Sequence, residues 1–226
     1  MTRAAVLVPA AGAGRRMGGA RKPMLELAGE PLLRHTLRPF LPFPEIVQVI
    51  VALPSETAAS PPLWLTELDP RIRVVAGGAE RGDSVRNALA ATDASIDVVL
   101  VHDAARPLVR GAVIERAILA AAAGRSVIAA VRPADTIQQV DSTGAIVATP
   151  ERDTLRAAQT PQAFPRAVLV EAYARAAAEG VAATDDAALV ARCGVRVEVI
   201  EGDVENLKVT TPTDLVLAEV LLARRA

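Results

Sequence analysis

The sequence has very few cysteines and histidines, and its charges balance. Its 226 residues include one cysteine and two histidines. This excludes a disulfide framework and a cysteine-rich metal site, and it weighs against a histidine-based metal site. The formal net charge of −1 gives no sign of a protein that wraps duplex nucleic acid or binds a membrane surface.

Long apolar segments and targeting signals are also missing. The apolar runs are shorter than the roughly 18 residues that a membrane-spanning helix needs. No cationic segment precedes a long apolar stretch near the N-terminus, so we expect a cytoplasmic protein. Apolar residues make up 51% of the chain and charged residues 23%, which is typical of a globular domain and excludes a disordered, collagen-like or coiled-coil chain.

Lysine is almost absent as well. Lys22 and Lys208 are the two lysines among 25 basic residues, and all the others are arginine. A compact ammonium and a planar guanidinium bind anions with different geometry. The two positions are therefore candidates for sites where arginine will not substitute, with chance survival as the alternative.

Short β-branched runs alternate with longer segments rich in alanine, leucine and arginine. Continuous apolar runs of this kind are typical of strands buried on both faces of a sheet. We predict strands at residues 5–8, 46–53, 72–75, 98–101, 126–131 and 196–200. We predict helices at residues 31–40, 83–92, 111–123, 166–179, 185–193 and 213–225. This alternation, with right-handed crossovers, predicts one doubly wound α/β domain over residues 1–226 with a mostly parallel sheet.

Residues at the helix ends support this division. Pro31 fits a first helical position, and Thr184 fits an N-cap. Gly124 and Gly194 fit the left-handed position that follows the end of a helix.

Residues 133–153 interrupt the alternation. Asp141-Ser-Thr-Gly144 predicts a turn between two short strands at residues 136–140 and 145–149. A hairpin inserted into an α/β domain has no crossover helix to cover its apolar side chains. We therefore expect residues 133–153 to form a protruding arm that packs on a second subunit, with packing on its own domain as the alternative.

The loop after the first strand combines glycines with cations. It contains Gly12 and Gly14, followed by Arg16 and Lys22. Small residues let the backbone approach a ligand closely, and backbone N–H groups together with cations bind phosphate oxygens. The spacing fits neither the dinucleotide G-x-G-x-x-G pattern, because position 17 is methionine, nor the Walker A pattern. Because open α/β sheets bind ligands at the carboxyl ends of their strands, we predict a different phosphate site here, with a basic surface loop as the alternative.

Three further polar clusters lie at the ends of elements. Residues 77–84 follow the third strand and could contact a base or ribose, or form an ordinary turn and N-cap. Asp103 and Arg106 follow the fourth strand, which suits a Mg²⁺ or substrate contact, with an internal ion pair as the alternative. We interpret the adjacent His102 as a semi-buried residue with satisfied hydrogen bonds. Lys208 lies just before the final helix.

Together these motifs resemble the 2-C-methyl-D-erythritol 4-phosphate cytidylyltransferase family over nearly the whole chain. The matching stretches are Pro9-Ala-Ala-Gly-x-Gly-x-Arg-Met17, Gly77-Gly-x-x-Arg-x-x-Ser84, Val101-His-Asp-Ala-Ala-Arg-Pro107, Asp135-Thr136, Gln159-Thr-Pro-Gln162, Thr184-Asp185 and Asn206-x-Lys-Val-Thr210. Each stretch alone is modest evidence, whereas their order and spacing are specific. The resemblance implies the glycosyltransferase-A-like nucleotidyltransferase form of the doubly wound sheet.

The resemblance also implies a reaction, in which the phosphate of the polyol phosphate attacks the α-phosphorus of CTP and pyrophosphate leaves. Arg16 and Lys22 would stabilise the transition state, while Arg152 and Lys208 would position the attacking phosphate. The implied nucleotide contacts are Ala10, Ala11, Gly12, Gly14, Gly77, Gly78 and Ser84. The implied substrate contacts are Asp103, Arg106, Thr136, Thr160 and Thr184.

Mg²⁺ would be held mainly by the CTP phosphates, with Asp103 as a candidate ligand. The arm would form a homodimer, so that Thr136 and Arg152 would act in the neighbouring subunit's site. No nucleic acid or membrane partner is implied.

Three other functions stay open from the sequence alone. The nearest is a ribitol-5-phosphate cytidylyltransferase, which has the same chemistry and another polyol phosphate. A sugar-1-phosphate uridylyl- or thymidylyltransferase would prefer another nucleotide. A non-catalytic nucleotide-binding or regulatory protein would keep its function without Lys22.

Overall fold

The computed structural model describes residues 2–12, 25–182 and 185–225. The strands are β1 (Ala4–Pro9), β2 (Glu26–Leu27), β3 (Glu30–Pro31), β4 (Ile46–Leu53), β5 (Ile72–Ala76), β6 (Val98–Val101), β7 (Ser126–Val131), β8 (Gln139–Val140), β9 (Ile146–Ala148), β10 (Ala157–Pro165) and β11 (Val197–Glu201). The α-helices are α1 (Leu32–Leu37), α2 (Ser55–Ala59), α3 (Leu63–Thr66), α4 (Arg81–Ala90), α5 (Gly111–Ala122), α6 (Arg166–Ala178), α7 (Asp186–Arg192) and α8 (Pro212–Ala223). Two short 3₁₀ turns cover Arg38–Phe40 and Arg152–Thr154.

Seven strands form the central sheet, in the order β11-β7-β10-β6-β1-β4-β5. The four neighbours β6, β1, β4 and β5 are parallel, and so are β7 and β11. The prediction of a mostly parallel doubly wound sheet is therefore confirmed. All six predicted strands are present, each with its ends within a residue or so of the predicted ones.

Strand β10 is the element that the sequence analysis missed. It lies between β6 and β7 and runs antiparallel to both. Its pairing with β7 shifts register between Ala158 and Gln162, so Pro161 sits within an irregularity of the ladder. A proline inside a run argues against a central strand unless a bulge accommodates it, which is the case here.

Apolar residues of the strands alternate between two cores, one on each face of the sheet. Val6 and Val8 of β1 face one core, with α1, α3 and α5, whereas Leu7 faces the other core, with α4, α6 and α7. This alternation follows from the period of two along a strand. Because helices cover both faces of the sheet, residues pointing to either side are apolar, and the strands consist of continuous apolar runs.

The helix ends agree with the sequence analysis except at two positions. Gly124 and Gly194 follow the ends of α5 and α7 with φ of +81° and +78°, as predicted. Pro31 is the N-cap of α1 and not its first residue. Asp185 is the N-cap of α7, and its carboxylate accepts a 3.0 Å hydrogen bond from the Ala188 N–H, so this role does not fall to Thr184.

The predicted hairpin is present and is exposed in the single chain. Strands β8 and β9 pair antiparallel, and the Asp141 carboxylate accepts hydrogen bonds from the backbone of Thr143 and Ala145 to fix the turn. The observed strands are shorter than predicted. Val140 and Ile146 expose 52% and 64% of their surface.

Strand order reverses between β1 and β6, because the chain runs from β1 through β4 to β5 and then returns to the other side of β1. In open α/β sheets, ligands bind at such a point beyond the carboxyl ends of the strands. The loops that start at Ala10 and His102 leave the sheet at this edge. No helix in the described ranges is long and apolar enough to cross a bilayer.

Candidate active site

The loops after β1 and β5 approach each other so closely that only glycine fits at the contact. A Cβ on Gly77 would lie 2.4 Å from the Ala11 Cβ and 2.8 Å from Ser84 Oγ. A Cβ on Gly78 would lie 2.2 Å from the Asp83 Cβ, and the Gly78 N–H donates to Ser84 Oγ at 3.2 Å. These glycines leave backbone groups accessible where a side chain would otherwise stand.

This cradle contains five of the seven residues that the motifs predict to contact the nucleotide. The Ala10 N–H donates to the Ala52 carbonyl at 2.8 Å, so the hydrogen bonding between β1 and β4 continues into the first residue of the loop. Among the residues that the structure describes, nothing would lie within 4 Å of a Cβ on Gly12. The structure therefore brings Ala10, Ala11, Gly77, Gly78 and Ser84 to one edge of the sheet.

Beside the cradle, one carboxylate lies among three cations. Asp103 Oδ2 is 2.8 Å from Lys208 Nζ and 3.7 Å from Arg106 Nε, and Asp103 Oδ1 is 3.2 Å from Arg81 Nε. The side chain of Asp103 is only 11% exposed, whereas that of Lys208 is 44% exposed. The Asp103–Arg106 ion pair, which the sequence left open as an alternative, is present, but it is the longest of the three contacts.

Electrostatics keep this cluster ionised. Burial alone would raise the pKa of Asp103, but the charges of Arg81, Lys208 and Arg106 outweigh burial and hold that pKa well below its ordinary value. Burial likewise opposes the charged form of Arg81, but the carboxylates of Asp186 and Asp103 outweigh it and raise the pKa of Arg81. Asp103 is therefore a hydrogen-bond acceptor only, placed in a surplus of positive charge.

Arg81 is held from behind by a buried carboxylate. Arg81 Nη1 lies 2.8 Å from Asp186 Oδ2, and the Tyr173 hydroxyl donates to Asp186 Oδ1 at 2.5 Å. Asp186 has no exposed surface, and Tyr173 is 5% exposed. Burial and the Asp186 charge raise the pKa of Tyr173, which keeps its hydroxyl a donor. An ion pair and a hydrogen bond thus connect α4, α6 and α7 to Asp103.

A second buried framework holds Arg106 and the loop before Lys208. Arg106 Nη1 donates to the Asn206 carbonyl at 2.6 Å, and Asn206 Nδ2 donates to the Thr160 carbonyl at 2.8 Å. Gln159 Nε2 donates to the Asp203 carbonyl at 2.8 Å and anchors the same loop. The bulge of β10 supplies Gln159 and Thr160, so the strand that carries Pro161 organises this side of the site.

Other predicted site residues lie elsewhere. Thr136 and Arg152 are exposed in the arm, where Arg152 Nη1 donates to the Ala134 carbonyl at 3.1 Å. Four predicted residues lie outside the described residues: Gly14, Arg16, Lys22 and Thr184.

The described residues do not fit a magnesium ion held by the protein itself. They contain no group of three or more His, Cys, Asp or Glu side chains that could hold a metal. Both oxygens of Asp103, the candidate ligand, face cationic side chains. The sequence suggested a metal contact because an aspartate at the end of a strand suits one, but two of the three cations around it, Arg81 and Lys208, come from distant parts of the chain.

No role in the site was predicted from the sequence for Arg81, Asp186, Tyr173 or Asn206. Arg81 lies inside the Gly77–Ser84 motif and Asn206 inside the motif of Lys208, so the motifs themselves were available signals. Tyr173, the single tyrosine of the chain, carried no motif signal.

Comparison with known proteins supports the same assignment as the motifs. A family model described as 2-C-methyl-D-erythritol 4-phosphate cytidylyltransferase matches residues 4–224. The chain belongs to this family. Curated relatives of that name include one from Symbiobacterium thermophilum, 47% identical over 98% of this chain and 93% of the relative. Another, from Frankia casuarinae, is 48% identical over 98% of this chain and 82% of the relative.

Solved structures of cytidylyltransferases share the fold. The 2-C-methyl-D-erythritol 4-phosphate cytidylyltransferase of Thermus thermophilus is 35% identical, with a TM-score of 0.82 over 99% of this chain and 100% of that one. The 4-diphosphocytidyl-2C-methyl-D-erythritol synthase of Anaerococcus prevotii has a TM-score of 0.88 at 29% identity, covering 98% and 96% of the two chains. The family resemblance and the nucleotidyltransferase-type fold expected from the sequence are thus confirmed. The ribitol-5-phosphate alternative is not favoured.

Proposed function

We propose that this protein transfers CMP from CTP to 2-C-methyl-D-erythritol 4-phosphate. A phosphate oxygen of the polyol phosphate bonds to the α-phosphorus of CTP, and the bond between that phosphorus and the bridging oxygen of the β-phosphate breaks. The products are 4-diphosphocytidyl-2-C-methyl-D-erythritol and pyrophosphate. The observation that carries the proposal is membership of the cytidylyltransferase family over residues 4–224.

The geometry of the Asp103 cluster suits the anionic polyol substrate. Ionised Asp103 accepts hydrogen bonds from polyol hydroxyls, and the surrounding cations attract the phosphate. Lys208 is the most exposed of the three cations, and its compact ammonium can exchange Asp103 for a phosphate oxygen. Arg81 and Arg106 are held by Asp186 and by the Asn206 carbonyl, so little reorganisation of these two charges accompanies the reaction.

Arg16 and Lys22 have the proposed role of stabilising the transition state. Two anionic reactants must meet, and negative charge develops on the oxygens around the α-phosphorus. The resemblance assigns these two cations to those oxygens. A divalent cation such as Mg²⁺ would accompany CTP, held by the triphosphate and not by a cage of described side chains. We place this reaction in the cytoplasm, where nucleoside triphosphates are available.

We further propose a homodimer in which the arm completes the neighbouring site. The arm exposes apolar side chains, among them Val140 and Ile146, and carries Thr136 and Arg152 on its exposed part. A patch of this kind on an isolated hairpin is typical of an interface. The dimer would bring Arg152 to the attacking phosphate beside the other chain's Lys208.

Mixing two inactive variants tests the shared site. In Arg152→Ala chains Lys208 is intact, and in Lys208→Ala chains Arg152 is intact. Random re-pairing gives heterodimers with one complete site, so activity returns to about a quarter of the wild-type value. If Arg152 acts within its own chain, every site keeps one defect and mixing restores nothing.

The function itself is tested by pyrophosphate release from CTP. We expect release with 2-C-methyl-D-erythritol 4-phosphate and Mg²⁺, and little with ribitol 5-phosphate. UTP in place of CTP tests the uridylyltransferase alternative. Turnover of ribitol 5-phosphate without turnover of the methylerythritol substrate, or a preference for UTP, contradicts the proposal. Lys22→Ala should lower the rate at least about a hundredfold, the scale of removing one preorganised charge, whereas a non-catalytic protein would keep its function.

A further inference from the structure

His102 is a fully buried residue whose two ring nitrogens both contact the proposed substrate side of the site. Its Nε2 lies 3.1 Å from the Arg106 carbonyl oxygen, and its Nδ1 lies 3.1 Å from Thr160 Oγ1. The Asp103 N–H donates to the same Thr160 oxygen at 3.0 Å. His102 therefore connects three residues that the resemblance assigns to the substrate.

The hydrogen bonds fix one tautomer of the ring. A carbonyl oxygen only accepts, so His102 Nε2 carries the hydrogen and donates to Arg106. In a neutral ring Nδ1 is then an acceptor, and the Thr160 hydroxyl donates to it. Burial lowers the pKa of His102 to about 4, in accord with a neutral ring near pH 7. Thr160 Oγ1 is left to accept from the Asp103 N–H, so each hydrogen bond of the chain has one direction.

This chain closes the turn that carries Asp103 and Arg106. The Arg106 N–H donates to the Asp103 carbonyl at 3.0 Å, and the bond from His102 Nε2 fixes the carbonyl of Arg106 itself. Thr160 is 4% exposed, and its only hydroxyl hydrogen is used by the ring. The Thr160 oxygen therefore accepts from the Asp103 N–H, and its hydroxyl has no hydrogen left to donate to a substrate.

We propose that His102 is a positioning residue for the polyol phosphate, acting through Thr160 and the Arg106 carbonyl to aim the Asp103 and Arg106 side chains. The proposal rests on the proposed function. It assigns to His102 a role beyond the filling of space beside Phe40, whose ring centroid lies 4.9 Å from that of the imidazole.

Steady-state kinetics separate positioning from a structural role. In His102→Phe, which keeps an aromatic ring, kcat/KM for 2-C-methyl-D-erythritol 4-phosphate should fall about tenfold or more while KM for CTP stays within about twofold. His102→Asn keeps an acceptor near the Nδ1 position and should recover part of the loss. His35→Phe is the matched control, because His35 is also buried and its Nε2 lies 2.8 Å from a backbone carbonyl, that of Leu27. It should leave the kinetics for the polyol phosphate unchanged.

A double-mutant cycle tests the route through Thr160. Because His102 and Thr160 act as one unit, His102→Phe/Thr160→Val should be little worse than the more damaging single variant. Thr160→Ser keeps the hydroxyl and should lose less activity than Thr160→Val. Losses that multiply in the double variant, or unchanged KM and kcat per folded His102→Phe molecule, would overturn the proposal.

Nitrogen-15 NMR of the histidine rings tests the tautomer without any change at His102. The chain has only two histidines, so a His35 variant assigns both sets of signals. We expect His102 to carry its hydrogen on Nε2 near pH 7, and a hydrogen on Nδ1 would overturn the proposal. Absence of wild-type turnover of the methylerythritol substrate would instead refute the proposed function, and the NMR result would still test the hydrogen-bond chain.

Discussion

Replacing Asp186 by asparagine should lower the free energy of unfolding by about 3 kcal/mol, the lower end of the range for removing one partner of a buried ion pair. Asp186 is fully buried, 2.8 Å from the Arg81 guanidinium and 2.5 Å from the Tyr173 hydroxyl. An asparagine of the same shape keeps an oxygen for Tyr173 but turns its amide N–H₂ towards the cation. Tyr173→Phe removes only a hydrogen bond to a charged group and should cost about 2 kcal/mol.

Urea unfolding at pH 7, followed by circular dichroism, measures both changes. Asp153→Asn is the matched control, because Asp153 pairs with Arg132 at 3.1 Å but both side chains are at least 70% exposed. Exposed pairs contribute little, so this variant should unfold at the wild-type midpoint. A loss below about 1 kcal/mol for Asp186→Asn, or one equal to that of Asp153→Asn, would refute the idea that a buried charge anchors Arg81.

Three further predictions concern the cradle, the buried histidine and the lysines. Gly77→Ala should weaken the binding of CTP about tenfold or more, because the new Cβ would lie 2.4 Å from that of Ala11. Equilibrium binding of CTP measures this change, and wild-type affinity contradicts it. Burial lowers the pKa of His102 from 6.5 to about 4 in the folded protein. The neutral ring therefore contributes about 3 kcal/mol to the free energy of unfolding above pH 6.5, and this contribution is lost as the pH falls towards 4. Urea unfolding across this range should show a smaller pH dependence in His102→Gln, and an equal one contradicts the reasoning. Lys208→Arg and Lys22→Arg should each impair turnover although they keep the charge, and wild-type rates would make the scarcity of lysine a matter of chance.

Most of the sheet could be predicted from local pattern, because strands covered on both faces consist of unbroken apolar residues. Strand β10 could not, since Gln159 to Gln162 are polar apart from Pro161, and a proline argues against a central strand. Its place depends on the bulge and on pairing with β6 and β7, which no local signal reveals. Asp185 also took the N-cap position expected for Thr184, since neighbouring Thr and Asp are both good N-caps.

The site was predictable where its residues lie in short motifs at the ends of strands. The sequence placed Asp103 and Lys208 in the site, but it did not predict that Lys208 lies 2.8 Å from Asp103. The ion pair between Arg81 and Asp186 could not be predicted either, because folding brings α4 and α7 together from distant parts of the chain. Contacts of this kind depend on topology and not on residue type.

Transfer of label from CTP to the polyol phosphate tests the central claim most directly. With CTP labelled at the α-phosphorus, the label should move into 4-diphosphocytidyl-2-C-methyl-D-erythritol, and with CTP labelled at the γ-phosphorus it should appear in pyrophosphate. Label from the α-phosphorus found only in free CMP, or no transfer in the presence of 2-C-methyl-D-erythritol 4-phosphate and Mg²⁺, would contradict the account.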